Sequence, residues 1–285
     1  MIKIRQMTMD DVALGLRLTQ QAGWNQLESD WLRFLNLGPE GCFVAELDGR
    51  SVGTTMTFVS DRVAWVAMVL VEKESRGKGT GTALLKHALN YLDACKIKTI
   101  RLDATHLGQP IYEKLGFMPE YELVRFEGSM PTGLKTQHSR LMNRVLGLES
   151  EVLGPSLIEF DRRVTGENRA KMLDALFREY PQNVRVTIQG DRVEGFVTMR
   201  PGRNAIQIGP CVATEDAGRA LLSDALNRCA GKAVFLDVPT DNIRAVKVAE
   251  ASGLGIQRHF LRMYRGERVK DDVNAIWASS GPEKG

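Results

Sequence analysis

The sequence predicts an α/β chain built of two units of similar design, and three observations carry that reading. A run of nine apolar residues passes through a glycine-rich turn into an amphipathic helix between residues 63 and 92. Two-residue hairpin signals, Asp48-Gly49 and Gly190-Asp191, stand in the two halves of the chain. Segments that follow the first helix return in weakened form in the second half. At 285 residues the chain is long enough for about two domains, each able to bury a core.

The first unit opens with a strand at residues 2–5, helices at 9–21 and 28–35, and strands at 42–47 and 53–59 that Asp48-Gly49 joins. Val63-Ala64-Trp65-Val66-Ala67-Met68-Val69-Leu70-Val71 has the length and β-branched content of a strand buried on both faces. After Thr80 the period changes: Leu84, Leu85, Ala88, Leu89 and Leu92 fall at helical spacing. A helix therefore starts between Gly79 and Thr82, its unpaired N–H groups directed back along Arg76-Gly77-Lys78-Gly79-Thr80-Gly81. Three glycines let the backbone approach a ligand, and the helix dipole favours negative charge, so phosphate is the natural guest. Neither nucleotide motif fits the spacing. A Walker loop needs glycine five residues after Gly77, and the dinucleotide fingerprint needs glycine or alanine there; the residue is Thr82.

Further along, Thr99-Ile100-Arg101-Leu102-Asp103-Ala104 reads as a short strand. Gln109-Pro110-Ile111-Tyr112-Glu113-Lys114-Leu115-Gly116-Phe117 reads as a helix with Pro110 in its first turn and Gly116 as its stop. The pattern Arg76-x-x-Gly79-x-Gly81, followed by Ile111 through Phe117, resembles the acyl-CoA-binding turn and downstream segment of the GNAT superfamily of acetyl-CoA-dependent N-acyltransferases. The resemblance covers residues 1 to about 130. It implies a mixed, mostly antiparallel central sheet flanked by helices, with acetyl-CoA as acyl donor and no metal. It also implies that Arg76, Gly77, Lys78, Gly79, Thr80, Gly81 and Thr82 hold the CoA pyrophosphate. By position, Met68, Val69, Leu70 and Val71 are implied to offer main-chain groups to the acyl and pantetheine chain, one N–H facing the developing oxyanion. Tyr112 matches the family's general acid, a phenol beside the thioester sulfur. Read from the residues alone, Tyr112 at helical spacing with Ile111 and Leu115 also fits a core position.

Residues 132–150 read as a linker between a catalytic unit, 1–131, and a second unit, 151–285. In the second, strands at 184–188 and 195–200 flank Gly190-Asp191, a strand follows at 205–212 and a helix at 219–229. Val234-Phe235-Leu236-Asp237-Val238-Pro239 parallels Ile100 through Thr105, and Val248 through Leu254 parallels Ile111 through Phe117. Val124-Arg125-Phe126-Glu127-Gly128 likewise matches Leu261-Arg262-Met263-Tyr264-Arg265-Gly266. Asp161, Gly166 and Arg169 open the unit and read as a cap, a turn and a solvated helix face. Its turn is Ala213-Thr214-Glu215-Asp216-Ala217-Gly218, whose carboxylates repel a pyrophosphate, and Ala249 stands where the first unit has Tyr112. The resemblance is thus to a tandem GNAT protein with a degenerate, non-catalytic second domain that shapes the acceptor pocket or a dimer contact.

Lys plus Arg number 38 against 35 Asp plus Glu, and a net charge of +3 is too small to argue for a nucleic-acid or membrane partner. The longest apolar run falls far short of a membrane span, and charges from Lys3 onward exclude a signal-peptide core. Cys42, Cys95, Cys211 and Cys229 show no paired spacing and read as reduced core thiols of a cytoplasmic protein, monomer or homodimer. His87, His106, His138 and His259 are too dispersed for a metal motif.

The expected acceptor is a small-molecule amine. The family recognises it with the first two helices and their connecting loop, which here contribute Trp24, Asn25 and Asp30; Trp24 and Trp31 near acidic groups would box a cation. Equally, Trp31 fits a core and Ser29 or Asp30 a helix cap. A protein or peptide amine, or a non-catalytic acyl-CoA-binding and sensing role, stays open. For the general base, Asp61, Asp103, His106 and a water chain are alternatives.

Overall fold

The structure is a computed structural model that describes residues 1–131, 145–147 and 153–282. The first half forms β1 (Ile2–Gln6), α1 (Val12–Ala22), α2 (Glu28–Leu37), β2 (Cys42–Leu47), β3 (Arg50–Ser60), β4 (Val63–Val71), α3 (Thr80–Ala94), β5 (Thr99–Ala104), α4 (Gln109–Lys114) and β6 (Met118–Ser129). The second forms β7 (Val145–Gly147), α5 (Leu153–Thr165), α6 (Ala170–Glu179), β8 (Arg185–Gln189), β9 (Arg192–Arg200), β10 (Ile206–Ala213), α7 (Glu215–Arg228), β11 (Ala233–Pro239), α8 (Ile243–Ala251), β12 (Gly255–Gly266) and β13 (Ile276–Ala278). Helices α5 and α6 carry their apolar residues on one face, Leu157, Phe160 and Val164 with Leu173 and Phe177, in a stretch that the sequence analysis gave only a cap, a turn and a solvated face. Val145–Gly147 lies inside the stretch expected to be linker, yet it pairs with β8 as an edge strand.

The two units share one sheet. Its 13 strands run β1-β2-β3-β4-β5-β12-β6-β11-β10-β9-β8-β7, with β13 added on β10. Every ladder is antiparallel except β4–β5 and β10–β11, the two crossovers that α3 and α7 make. The order reads the same from either end once β6 and β12 are exchanged. Each half thus gives its final long strand to the other: β12 separates β5 from β6, and β6 separates β12 from β11.

Two ion pairs fasten the exchange. Asp103 on β5 takes Arg262 of β12 in a fork at 2.8 and 2.9 Å, and Asp237 on β11 takes Arg125 of β6 at 2.7 Å twice. The members of each pair face one another in register. Both pairs are buried, where removing one partner costs about 3–5 kcal/mol because the other charge is stranded.

Helices cover both faces. On one, α3 and α4 pack over Ala64, Val66, Ile100 and Leu102, and α7 and α8 over Val234, Leu236 and Val238. On the other, α1 and α2 meet α6: Trp31 and Phe34 share a core with Met172 and Leu176. Gly15 on α1 makes room for Trp31, since an added Cβ would stand 2.7 Å from its ring. On this second face lies a charged cluster that spans the halves. Arg101 on β5 contacts Glu120 (2.7 Å), Glu167 (2.5 Å) and Asp271 (2.8 Å), and Trp65 Nε1 donates to Glu167 at 2.8 Å. Arg169, expected on a solvated face, and Asp161, expected as a cap, form a buried fork at 2.5 and 2.9 Å beside it. Of the cysteines, Cys95 is exposed and the other three are buried. No described helix is long and apolar enough to cross a membrane.

Candidate active site

The strand that precedes the glycine turn parts from its neighbour. β4 pairs with β5 only at Val63↔Thr99, Ala64↔Ile100 and Trp65↔Arg101. On its other edge the register shifts, with Thr54 facing Leu70 but Met56 facing Ala67, so Met68 and Val69 share the place opposite Thr55. Met68 holds φ at 51°, a left-handed conformation that side chains other than glycine's rarely adopt. Thr54 Oγ1 donates to Met68 O at 2.9 Å and fixes that peptide. A bulge against β3 and an absent neighbour at β5 together leave main-chain groups of residues 68–71 facing a gap.

At the mouth of the gap stands the turn. Gly77 (φ 75°) and Gly79 (φ 83°) take left-handed conformations, and α3 begins immediately after. Its first helical bond runs from Ala83 N–H to Gly79 O at 2.9 Å, so the amides of residues 80–82 precede the ladder. Arg76 Nε donates to Val71 O at 3.1 Å, which ties the turn to the end of β4. Arg76 and Lys78 are exposed. Thr80 is 1% exposed and its hydroxyl has no partner among the described residues. A buried hydroxyl without a partner costs about 1–3 kcal/mol. Beside unpaired amides at a helix N-terminus, it suits a guest rich in acceptor oxygens, and the residues fit a CoA pyrophosphate.

Tyr112 projects from α4, which the Thr105 carbonyl starts by accepting from Gly108 and Gln109 N–H at 2.9 and 3.0 Å. Half-buried, it meets the edge of Phe117 with ring centroids 5.9 Å apart. Its hydroxyl makes no hydrogen bond to a described residue. Burial pushes the phenol up to about 12.

The second half repeats the gap and closes it. β10 and β11 pair only at Ile206↔Val234, Gln207↔Phe235 and Ile208↔Leu236. β13 then enters, placing Ala278 and Ile276 against Cys211 and Val212, while Ser279 N–H donates to Asp237 O on β11 at 2.8 Å. Trp277, fully buried, lies on α7 where a Cβ at Gly218 would collide with its ring. The turn here carries Glu215, paired to Arg244 at 2.5 Å, and Asp216. Ala249, in the place of Tyr112, is fully buried. Sequence reasoning missed β13 because Ile276-Trp277-Ala278 is too short to show a period.

Two of the three residues expected to hold the acceptor, Asn25 and Asp30, are engaged at the junction. Asn25 Nδ2 donates to Ala205 O at 3.0 Å, and its Oδ1 accepts from Asn204 and Ala205 N–H at 2.9 and 3.1 Å. Asp30, 1% exposed, lies between Arg33 at 2.9 Å and Arg200 at 3.0 Å and caps α2 through Leu27 N–H at 2.9 Å. Of the three, only Trp24 keeps part of its ring in solvent. The same clasp recurs in mirror form: the Asn168 carbonyl accepts from Ser60 Oγ, and Asn168 Nδ2 donates to Asp61 at 2.9 Å. That bond occupies Asp61, which stands at the end of β4 remote from the turn. Burial holds the Asp103 carboxyl above its usual range against the pull of Arg262. Its twin, Asp237 with Arg125, recurs in the half whose gap is closed, so the pair is a fastening of the exchanged strands. His106 is exposed on the loop between β5 and α4.

Known proteins agree with this geometry. Two acetyltransferase (GNAT) domain families match, one at residues 38–119 and another at 157–278. Holothin acyltransferase of Pseudoalteromonas sp. is 26% identical over 265 residues, 92% of this chain and 87% of that protein. A putative acetyltransferase from Pyrococcus horikoshii superposes with a TM-score of 0.84 at 24% identity, over 100% of this chain and 96% of its own. A tandem GNAT protein from the clavulanic acid biosynthesis pathway superposes at 0.63 and 13%, over 95% and 100%. At these identities the two structures show the fold. Fold, site and family together define an acyl-transfer enzyme made of two related halves. The chain belongs to the GNAT acetyltransferases, as a tandem member.

Proposed function

We propose that this protein is an acetyl-CoA-dependent N-acetyltransferase that binds one donor per chain, in its first half, and acetylates a primary amine of a small molecule by direct attack in a ternary complex. The contrast between the two gaps carries the reading: one has a glycine turn, an unpaired Thr80 hydroxyl and an open strand edge, and the other is filled by β13 and faced with acids. The second half is then a scaffold that completes the first.

Bound acetyl-CoA supplies the acyl group as a thioester. An amine of ordinary pKa, about 10.4, is neutral in roughly one molecule in a thousand at pH 7, so the site must bind that form or take its proton. A main-chain N–H at the Met68 bulge is held rigidly and donates to the oxygen on which negative charge develops, without reorganising. Tyr112, kept protonated by burial, gives its proton to the departing sulfur.

A thermal-shift series tests the donor. Acetyl-CoA is expected to raise the melting temperature while ATP and NAD leave it unmoved, because a ligand of the native state stabilises by mass action. Release of free thiol with a panel of amines then measures turnover, and equal shifts with all three nucleotides would defeat the assignment.

A further inference from the structure

The central face between the halves carries two related charge clusters, the first rich in acids and the second in arginines. Around Arg101 and Arg262 stand Asp103, Glu120, Glu167 and Asp271, and Tyr121 is locked between Arg262 at 2.6 Å and Asp271 at 2.7 Å. Across the pseudo-two-fold axis Arg125 takes the place of Arg262 and Asp237 that of Asp103, and Arg258 stands where the first cluster has Tyr121. The register puts Arg258 directly beside Arg125, on the face where that guanidinium lies 4.9 Å over Phe235 and 5.3 Å over Phe260.

Arg258 is half-buried and lacks a carboxylate within 4 Å among the described residues. Its Nε donates to the amide of its neighbour Gln257 at 3.0 Å. The acids that face it are already engaged: Asp237 is forked to Arg125 with Gln207 at 3.2 Å, and Glu127 takes Gln257 at 2.6 Å. Burial and the neighbouring Arg125 both push the Arg258 guanidinium below its usual value, the mark of a charge short of a counter-ion.

Its position points to the missing anion. β12 outruns β5, their ladder ending at Leu261↔Ala104, so among the described residues no strand faces 255–260 on the side where the gap between β4 and β5 opens. The Met68 bulge lies near the row of Asp103 and Arg262, and Arg258 is four residues further along β12. At strand spacings that is about 13 Å along and two strands across, part of which an arginine side chain spans. Asn25 and Asp30, expected to recognise the acceptor, are committed to the junction, and the end of β12 that carries Arg258 lies at the same end of the sheet as the gap.

We propose that Arg258 receives a carboxylate of the acceptor, so that the substrate class is an amine carrying an acidic group several bonds from its nitrogen. The inference rests on the acetyl-transfer reading above. A bidentate arginine–carboxylate contact of this kind changes affinity by about ten- to a hundredfold.

The test is a ruler of ω-amino carboxylates, from glycine to 8-aminooctanoate with a set of dipeptides, each compared with its carboxamide and followed by thiol release from acetyl-CoA. At the best length the carboxylate is expected to exceed its amide at least tenfold in kcat/KM. Arg258→Gln should erase that preference through KM, leave acetyl-CoA affinity unchanged and leave Tm equal or higher, since it removes an unbalanced charge; a structural arginine would lower Tm. Arg258→Lys, which keeps charge without the fork, should fall between the two and serves if the glutamine variant does not fold. Equal use of acid and amide, or no turnover of any acid by protein that binds acetyl-CoA, would overturn the proposal. So would a loss of acetyl-CoA affinity in Arg258→Gln, which would give the side chain to the donor's phosphates. Failure of the parent protein to bind acetyl-CoA would remove the donor assignment and this one with it.

Discussion

Asp103 shows how a single residue can look catalytic and be structural. It lies on β5 where that strand leaves β4, it is buried, and burial raises its carboxyl. The same pair with arginine recurs at Asp237, beside a filled gap, and the recurrence argues for a structural role. Asp103→Asn and Asp237→Asn are therefore expected to cost similar stability, on the order of 3–5 kcal/mol each, read as a fall in denaturation midpoint. A base at Asp103 would instead cut kcat by 10²–10⁴, a general-base effect, while Asp237→Asn left turnover alone. For Tyr112→Phe we expect kcat to drop by about 10² with acetyl-CoA affinity unchanged. The pH profile carries a sign. With its phenol raised to about 12, Tyr112 stays protonated while the amine, pKa about 10.4, loses its proton, so activity should climb through pH 9 and show no downturn from this group below about pH 11. An alkaline pKa near 9 in kcat would point to another acid. The helix that carries Tyr112 was legible in the sequence because its residues form a motif. The engagement of Asn25 and Asp30 was not, because their partners, Ala205 and Arg200, lie 180 and 170 residues away along the chain.

At the scale of elements, the strand, turn and helix at residues 63–94 were readable because each part has its own local cause: apolar run, left-handed glycines, helical period. Bounds moved by a few residues at most, as in α1, where Met9–Asp11 forms a separate turn before the helix starts at Val12. Its partner in the second half was readable only as a loss, since Glu215 and Asp216 stand in the place of the first unit's glycine-rich turn, but nothing local showed what fills the gap. Titration with CoA is expected to give one site per chain. Gly79→Glu should abolish it, because a side chain at φ 83° is strained and its carboxylate lies among the amides that would meet phosphate. Two sites in the parent, or undiminished binding in the variant, would mean that β13 yields to the ligand.

For the whole molecule, the periodicity of β6 and β12 identifies them as strands but carries no label for their partners, and the matched ends at Arg125 and Arg262 were legible as a repeat without showing the exchange. The physical consequence is that neither half is a separable domain. A chain cut near Arg144 would lack β12 and leave β5 and β6 with open edges around a vacant strand position, and it would strand the buried Asp103 and Arg101 without Arg262, Glu167 and Asp271. We expect that fragment to be insoluble or unfolded by circular dichroism, against the simpler expectation that an independent first unit keeps CoA affinity. A soluble fragment that still binds CoA would show that the exchange is dispensable. The exchange also sets a clock. β6 ends at Ser129 and β12 begins at Gly255, so a ribosome that has finished every residue of the donor turn must still work for on the order of ten seconds before the strand that completes the sheet exists. During that interval the nascent first half holds open the very slot that its own final strand cannot fill, and any second nascent chain on the same message offers the same strand with the same Arg262. The order of synthesis thus leaves that slot open to a strand from its own chain or from a neighbouring one.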